Sequence, residues 1–226
     1  MEMCGRFVGF RSLEELKENF PIDKADCEVT ASYNVAPSQE ILAIINMAGE
    51  NRLDKFHWGL VPFWSKDISI GNRMINARSE TIAEKPSFRN AFKKRRCLIL
   101  ADGFYEWKGE KGHKQPMFIT LPDRKPFAFA GLWETWNKKS DSASIYKSCT
   151  IITTQASETF SEIHHRMPVI LKSEFYEPWL DPQNHDLDAL KNILKNEIHT
   201  ELLSCPVSKQ VNSASHNNPS CIEPIA

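Results

Sequence analysis

Along most of the chain, apolar side chains come in short runs of strand length separated by turn residues, and helical spacing is confined to a few stretches. Runs rich in β-branched and aromatic residues cover 28–35, 40–45, 52–59, 97–101, 116–121, 127–133 and 148–154, and each reads as a strand. Ser12-Leu-Glu-Glu15 is a capping box, in which Ser12 bonds the Glu15 N–H and the Glu15 carboxylate reaches back, so a helix runs to Asn19 and stops before Pro21. Further helices are expected at 87–94, 157–163, 173–179 and 186–203. The last places Leu187, Leu190, Ile193, Leu194, Ile198 and Leu202 on one apolar stripe. Strands and helices do not alternate regularly, which disfavours a doubly wound parallel sheet. The expectation is an α+β fold, one domain over residues 1–226, with a mainly antiparallel, barrel-like sheet flanked by helices.

Composition narrows the function more than the fold. The chain has 28 Lys plus Arg against 29 Asp plus Glu, a net charge of -1, with 41% hydrophobic and 25% charged residues. That balance is globular and argues against coating nucleic acid by bulk charge, yet it leaves room for a local patch. Lys85, Arg89, Lys93, Lys94, Arg95 and Arg96 form one, with no acidic residue among them. The 6 cysteines are scattered, without a CxxC pair or a His at zinc-ligand spacing, so no disulfide framework, metal or cofactor is expected. The apolar run at 41–45 is far below the ~18 residues that span a bilayer, and no leader opens the chain. The expectation is a soluble cytoplasmic monomer of a bacterium or archaeon, with no membrane partner.

Four polar groups stand in or beside apolar, strand-like segments: Cys4 before Gly5, Asn76 before Ala77-Arg78, Glu106 within Gly-Phe-Tyr-Glu-Trp, and His164 before His165-Arg-Met-Pro. A thiol, an amide, a carboxylate and an imidazole are the ingredients of nucleophilic catalysis with acid–base support. Each has a plainer alternative: a small core thiol, a turn amide, an arginine-paired carboxylate, a structural imidazole. Removal of the residues ahead of Cys4 would leave a 1,2-aminothiol, whose amine forms an imine with an aldehyde and whose thiol closes a thiazolidine. An α-amine with pKa ~7.8 is about a quarter neutral at about pH 7.4, where a lysine at ~10.4 is neutral to about one part in a thousand. A carboxyl between Tyr105 and Trp107 is placed to have a raised pKa and to shuttle protons. Arg6, Arg78, Arg89 and Arg166 are candidate phosphate binders. The stretch His57 to Trp64 offers aromatic surface, with Trp58 and Trp64 each either core or base-stacking and Trp64 the more exposed.

Taken together, these segments resemble the SRAP (SOS-response-associated peptidase) family of abasic-site-processing proteins. The resemblance rests on Cys4-Gly-Arg-Phe7, Tyr33-Asn-Val-Ala-Pro37, Trp58-Gly-Leu-Val-Pro62 with Trp64, Asn76-Ala-Arg-Ser-Glu-Thr81, Lys85-Pro-Ser-Phe-Arg89, Arg96-Cys97, Ala101-Asp-Gly-Phe-Tyr-Glu-Trp107, Ala130-Gly-Leu-Trp133, His164-His-Arg-Met-Pro168 and Val211-Asn212, in family order. It implies binding of abasic sites in single-stranded DNA and a covalent crosslink to the ring-opened sugar through the N-terminal cysteine. By position, Cys4 is the implied nucleophile, Asn76 orients the sugar, and Glu106 and His164 manage protons. Arg6, Arg78 and Arg166, with Asn34 and Trp64, line the implied DNA groove, and Arg89 is a further phosphate contact. The resemblance also implies an autopeptidase step that exposes Cys4, and an imine that permits some lyase activity.

The family cysteine follows the initiator Met directly, whereas Met1-Glu2-Met3 precede Cys4 here. Glu2 is too large for ordinary Met trimming. Either translation begins at Met3, or the protein cleaves the Met3–Cys4 bond, or Met1-Glu2 is an addition. Two other functions use the same residues: an N-terminal-nucleophile amide hydrolase with no DNA role, and a non-catalytic module for single-stranded or modified DNA.

Overall fold

A computed structural model of the protein describes residues 4–110, 112–137 and 145–225. In chain order these form β1 (Phe7–Gly9), α1 (Leu13–Asn19), β2 (Lys24–Ala25), β3 (Ser32–Val35), β4 (Glu40–Met47), β5 (Glu50–Trp58), β6 (Asn76–Arg78), α2 (Arg89–Lys94), β7 (Arg96–Ala101) and β8 (Gly103–Lys108). They continue with β9 (Gln115–Thr120), β10 (Phe127–Asn137), β11 (Ile145–Gln155), β12 (Arg166–Pro168), β13 (Ile170–Leu171), α3 (Tyr176–Leu180), α4 (Leu187–Asn196) and β14 (Leu203–Pro206).

β5, β4, β7, β10 and β11 pair antiparallel in that order, and a parallel contact between β11 and β5, Ser148 opposite His57 and Cys149 opposite Trp58, closes the ring. The fold is therefore α+β with a closed barrel, as the strand pattern implied. Alternation assigns the two faces of each strand. Ile41, Ala43, Phe56, Trp58, Cys97, Ile99, Phe129, Cys149 and Ile151 fill the interior, while Ile44, Leu53, Leu98, Leu100, Ala128, Ala130 and Ile152 pack outward under α1 to α4. Because both faces are covered, every residue of β7 is buried, and the run 97–101 is unbroken apolar rather than alternating. Space inside is tight: a Cβ on Gly131 would stand 2.8 Å from both Cys97 Sγ and Ile99 Cδ1, so only glycine fits opposite Cys97.

The second sheet is smaller, in the order β14-β9-β8-β1-β3. One face, with Phe7, Phe104 and Ile119, joins the barrel's interior cluster, so the two sheets share a core. The other face, with Val8, Tyr105 and Phe118, is covered by Val207, Val211 and Cys221 of the C-terminal segment.

Helix bounds differ from the periodicity in three places. Residues 157–163 make only one 3₁₀ turn, Phe160–Glu162, because Ser157 Oγ accepts the Phe160 N–H and Ser161 Oγ bonds the Glu158 carbonyl, so hydroxyls compete with the helical ladder. The stretch 173–179 splits into a 3₁₀ turn, Ser173–Phe175, and the short α3. The stripe expected to reach 203 stops at Asn196, where the chain turns to the β13 edge: Glu197 accepts the Lys172 N–H and the His199 N–H donates to Ile170 O. Ile198 stays on the outer cluster, while Leu202 leaves it for the interior one. The segment 28–35 is extended only from Ser32.

Candidate active site

Cys4 lies just ahead of β1. Antiparallel pairing sets Phe7 against Phe104 and Val8 against Gly103, and the Tyr105 N–H donates to Arg6 O at 3.0 Å. This register lays the residues before β1 alongside Glu106. The Cys4 main-chain nitrogen donates to Glu106 Oε1 at 2.6 Å. Cys4 is fully buried with φ 45°, a left-handed conformation that a side chain rarely adopts and that concentrates at functional sites.

Glu106 follows Phe104 on the core-facing side of β8 and is only 3% exposed. Burial raises its carboxyl above the usual range, opposed by the N–H groups of Cys4 and Trp107 and by the charges of Lys114 and His165. Burial first, and the Glu106 charge second, push the Cys4 thiol far up, so sulfur is held as the neutral thiol. A buried carboxyl with raised proton affinity, bonded to the Cys4 main-chain nitrogen, can both accept and return a proton there.

His164 is half-buried before β12. Its Nδ1 stands 3.2 Å from the Arg166 nitrogen and 3.3 Å from the Arg166 carbonyl oxygen, so it accepts from the one or donates to the other according to the ring's tautomer. Burial lowers its pKa, with the Lys114 charge acting in the same direction, so the imidazole is neutral at physiological pH. The His165 ring lies 4.3 Å from it, centroid to centroid. Asn76 opens β6, which runs parallel to β11 with Asn76 opposite Ile151.

The candidate groove residues divide by exposure. Arg78 and Arg89 are exposed, Arg78 at the end of β6 and Arg89 at the start of α2. Trp64 is 49% exposed, beside Phe63 at 55% and Ile68 at 45%. Gly59, at φ +134°, begins their loop where a Cβ would come within 2.5 Å of the Gly71 carbonyl. Trp136 Nε1 donates to Ser65 O and ties the loop to β10. Trp58 is core, 1% exposed, its Nε1 bonded to Ile75 O.

Arg6, Asn34 and Arg166 are held by protein groups. Arg6 Nη1 donates to Asn34 Oδ1 and Val211 O, both at 2.7 Å. Asn34, 1% exposed, donates to the carbonyls of Val211, Ser213 and His216. Arg166 makes a two-pronged pair with Glu80, at 2.8 and 2.9 Å, and bonds Thr153 O. Arg78, opposite Thr153 in the β6–β11 pairing, adds its charge on the same Glu80. Among the described residues no group of His, Cys, Asp and Glu could hold a metal, and no helix is long and apolar enough to cross a membrane. The leader question falls on Met1 to Met3, which lie outside the described residues.

Residues 3–214 match the sequence model of the family described as SOS response associated peptidase (SRAP). The chain belongs to the SRAP family. The Bacillus subtilis (strain 168) protein named abasic site processing protein YoqW is 48% identical to this SRAP chain over 224 residues, covering 98% of it and 99% of that relative. Abasic site processing protein YedK of Escherichia coli (strain K12) is 30% identical over 229 residues, covering 99% and 100%. A crystal structure of a protein from Bacteroides thetaiotaomicron superposes with a TM-score of 0.84 at 24% identity over 99% of this chain and 100% of that one, a likeness of fold.

Three residues around these candidates escape sequence reasoning. Lys114 and His165 bear on Glu106 only through the β8–β9 hairpin and the turn before β12. Glu80 sat within a quoted motif, yet nothing in its spacing marked it as the Arg166 partner. Phe63, exposed beside Trp64, falls within the aromatic stretch His57 to Trp64 read from the sequence.

Proposed function

We propose that this protein captures abasic sites in single-stranded DNA as a covalent thiazolidine on Cys4 and so shields the lesion. The observation that carries this reading is the bond from the Cys4 nitrogen to the buried Glu106 carboxyl. Once Met1 to Met3 are gone, that nitrogen is an α-amine. It adds to the C1′ aldehyde of the ring-opened sugar; the resulting carbinolamine loses its hydroxyl as water, with Glu106 returning the proton, and an imine forms. Sulfur then adds to the imine carbon while its proton passes to nitrogen, which closes the ring. Burial of the thiol as the neutral form favours this amine-first order. In this reading Asn76 orients the sugar, and His164, half-buried and neutral, carries protons. Running the steps backward releases the lesion, and loss of the 3′ phosphate from the imine by β-elimination gives lyase activity. The same carboxyl and thiol serve a hydrolytic autopeptidase step at the Met3–Cys4 bond.

Exposed Arg78 and Arg89 with the Phe63–Trp64 surface meet the strand, while Arg6, Asn34 and Arg166, already engaged, hold the walls behind them. A small-amide hydrolase needs no such surface, which favours DNA over the hydrolase reading. The proposed compartment is the cytoplasm of a bacterium or archaeon. Relatives named for abasic site processing support the substrate class.

Intact-protein mass spectrometry before and after incubation with a single-stranded oligonucleotide carrying one abasic site tests the reading. The expected species begins at Cys4 and gains the oligonucleotide mass less one water, and acetylating the amine abolishes the gain. A protein beginning at Cys4 that binds the oligonucleotide without mass gain would leave only the binding-module function.

A further inference from the structure

The Val211-Asn212 pair takes no part in the chemistry above. Asn212 ends the 3₁₀ turn Lys209–Asn212 beside the small sheet. Its Oδ1 accepts the Trp107 Nε1 proton at 2.7 Å, and its carbonyl accepts from Arg6 Nη2 at 3.1 Å. The preceding carbonyl, of Val211, takes Arg6 Nη1 at 2.7 Å and Asn34 Nδ2 at 3.1 Å. Trp107 follows Glu106 on β8, and Arg6 lies two residues after Cys4 on the approach to β1. One turn of the C-terminal segment therefore grips both strands beside the two reacting groups. The grip matters because backbone pairing with β8 ends at Arg6, whose carbonyl accepts the Tyr105 N–H, while Cys4 sits beyond it in a left-handed conformation.

We propose that Asn212 is a positioning residue for the capture reaction. Through Trp107 and Arg6 it sets the spacing between the Cys4 nitrogen and the Glu106 carboxyl, and it touches neither the sugar nor the reacting atoms. The proposal rests on the capture chemistry above. Proton transfer and attack tolerate little displacement, so losing a tie one residue from the carboxyl shows in the rate rather than in DNA affinity.

The test is a double-mutant cycle on single-turnover capture of a saturating abasic oligonucleotide, read by intact mass. Asn212→Ala and Trp107→Phe are each expected to slow capture about tenfold. The double variant is expected to be no slower than either, since both remove the same bond. Asn212→Asp, which keeps an oxygen for the indole, is expected to restore the rate. The acid limb of the rate–pH profile should move in Asn212→Ala and return in Asn212→Asp, while affinity for the same oligonucleotide with an intact thymidine stays constant. Multiplying effects in the double variant, or an affinity loss equal to the rate loss, would overturn the role. Should Asn212→Ala fail to fold, Trp107→Phe, which retains a bulky ring, reads the same bond. A wild-type protein that forms no adduct overturns the proposed function and this role together; a reactive wild type with an equally fast Asn212→Ala overturns this role alone.

Discussion

Two equally buried charged groups, Arg96 of the barrel and Glu106 of the small sheet, are met in different ways. The Arg96 guanidinium donates to the carbonyls of Trp179, Phe92 and Lys93, and next to it Arg95 pairs with Glu134 at 2.7 Å. In the small sheet Glu106 is equally buried, yet among the described residues no cation lies within ion-pair distance of it; what it holds is the nitrogen of Cys4. A compensated buried charge is inert, whereas a carboxyl left with spare proton affinity in a dry setting can act on a substrate. The site sits where the two regimes meet, on the face of the small sheet that shares the barrel's core.

Breaking either half separates the two roles. The largest effect is expected from Cys4→Ala, which should lose all covalent adduct in the mass assay while the denaturant midpoint stays close to wild type. Trp58→Ala attacks the barrel instead, leaving a cavity and removing one of the two hydrogen bonds on the Ile75 carbonyl, which keeps the Ile151 N–H. The expected cost is about 3–5 kcal/mol by urea denaturation, with adduct formation intact while the chain remains folded. Glu106→Gln should slow capture about a hundredfold without unfolding the protein, read by timed mass spectra. Its pH behaviour sharpens the contrast. Because burial raises the Glu106 pKa, this group's own contribution to stability is fully present below the ordinary carboxylate range and is lost as pH rises through the raised value. Melting temperature against pH should show this step in wild type and a flatter course in Glu106→Gln. The smallest effect belongs to the surface: Arg78→Ala should reduce the log–log salt slope of oligonucleotide binding by about one, measured by anisotropy titration.

What could be read from sequence follows the same division. Barrel strands 97–101 and 127–133 announced themselves because both faces are buried and their apolar runs are continuous. The capping box of α1 is present with both of its bonds, since it depends on residues three apart. The short strands carrying the site were missed as strands: Phe7–Gly9, Asn76–Arg78 and Arg166–Pro168 are too brief to show a period, and their pairing partners lie far along the chain. Glu106 was visible because a carboxylate between aromatics conflicts with its surroundings. Its bond to Cys4, spanning 102 residues, was not, because only folding sets that register. Likewise nothing local told the exposed Arg78 from Arg166, whose guanidinium is committed to Glu80.

Closure of the ring through His57–Ser148 and Trp58–Cys149 also sets a timetable for the nascent chain. The two halves of that seam are synthesised about 90 residues apart, several seconds or more at roughly 5–20 residues per second. β2 covers β5 at Arg52 and Leu53, but until β11 emerges the His57–Trp58 end of that edge is bare, and long-range closures of this kind make folding slow. The Cys4–Glu106 bond spans 102 residues and so cannot form until nearly half of the chain has been made. On the proposed capture chemistry, the Cys4 nitrogen therefore gains its proton acceptor well before the ring around it closes.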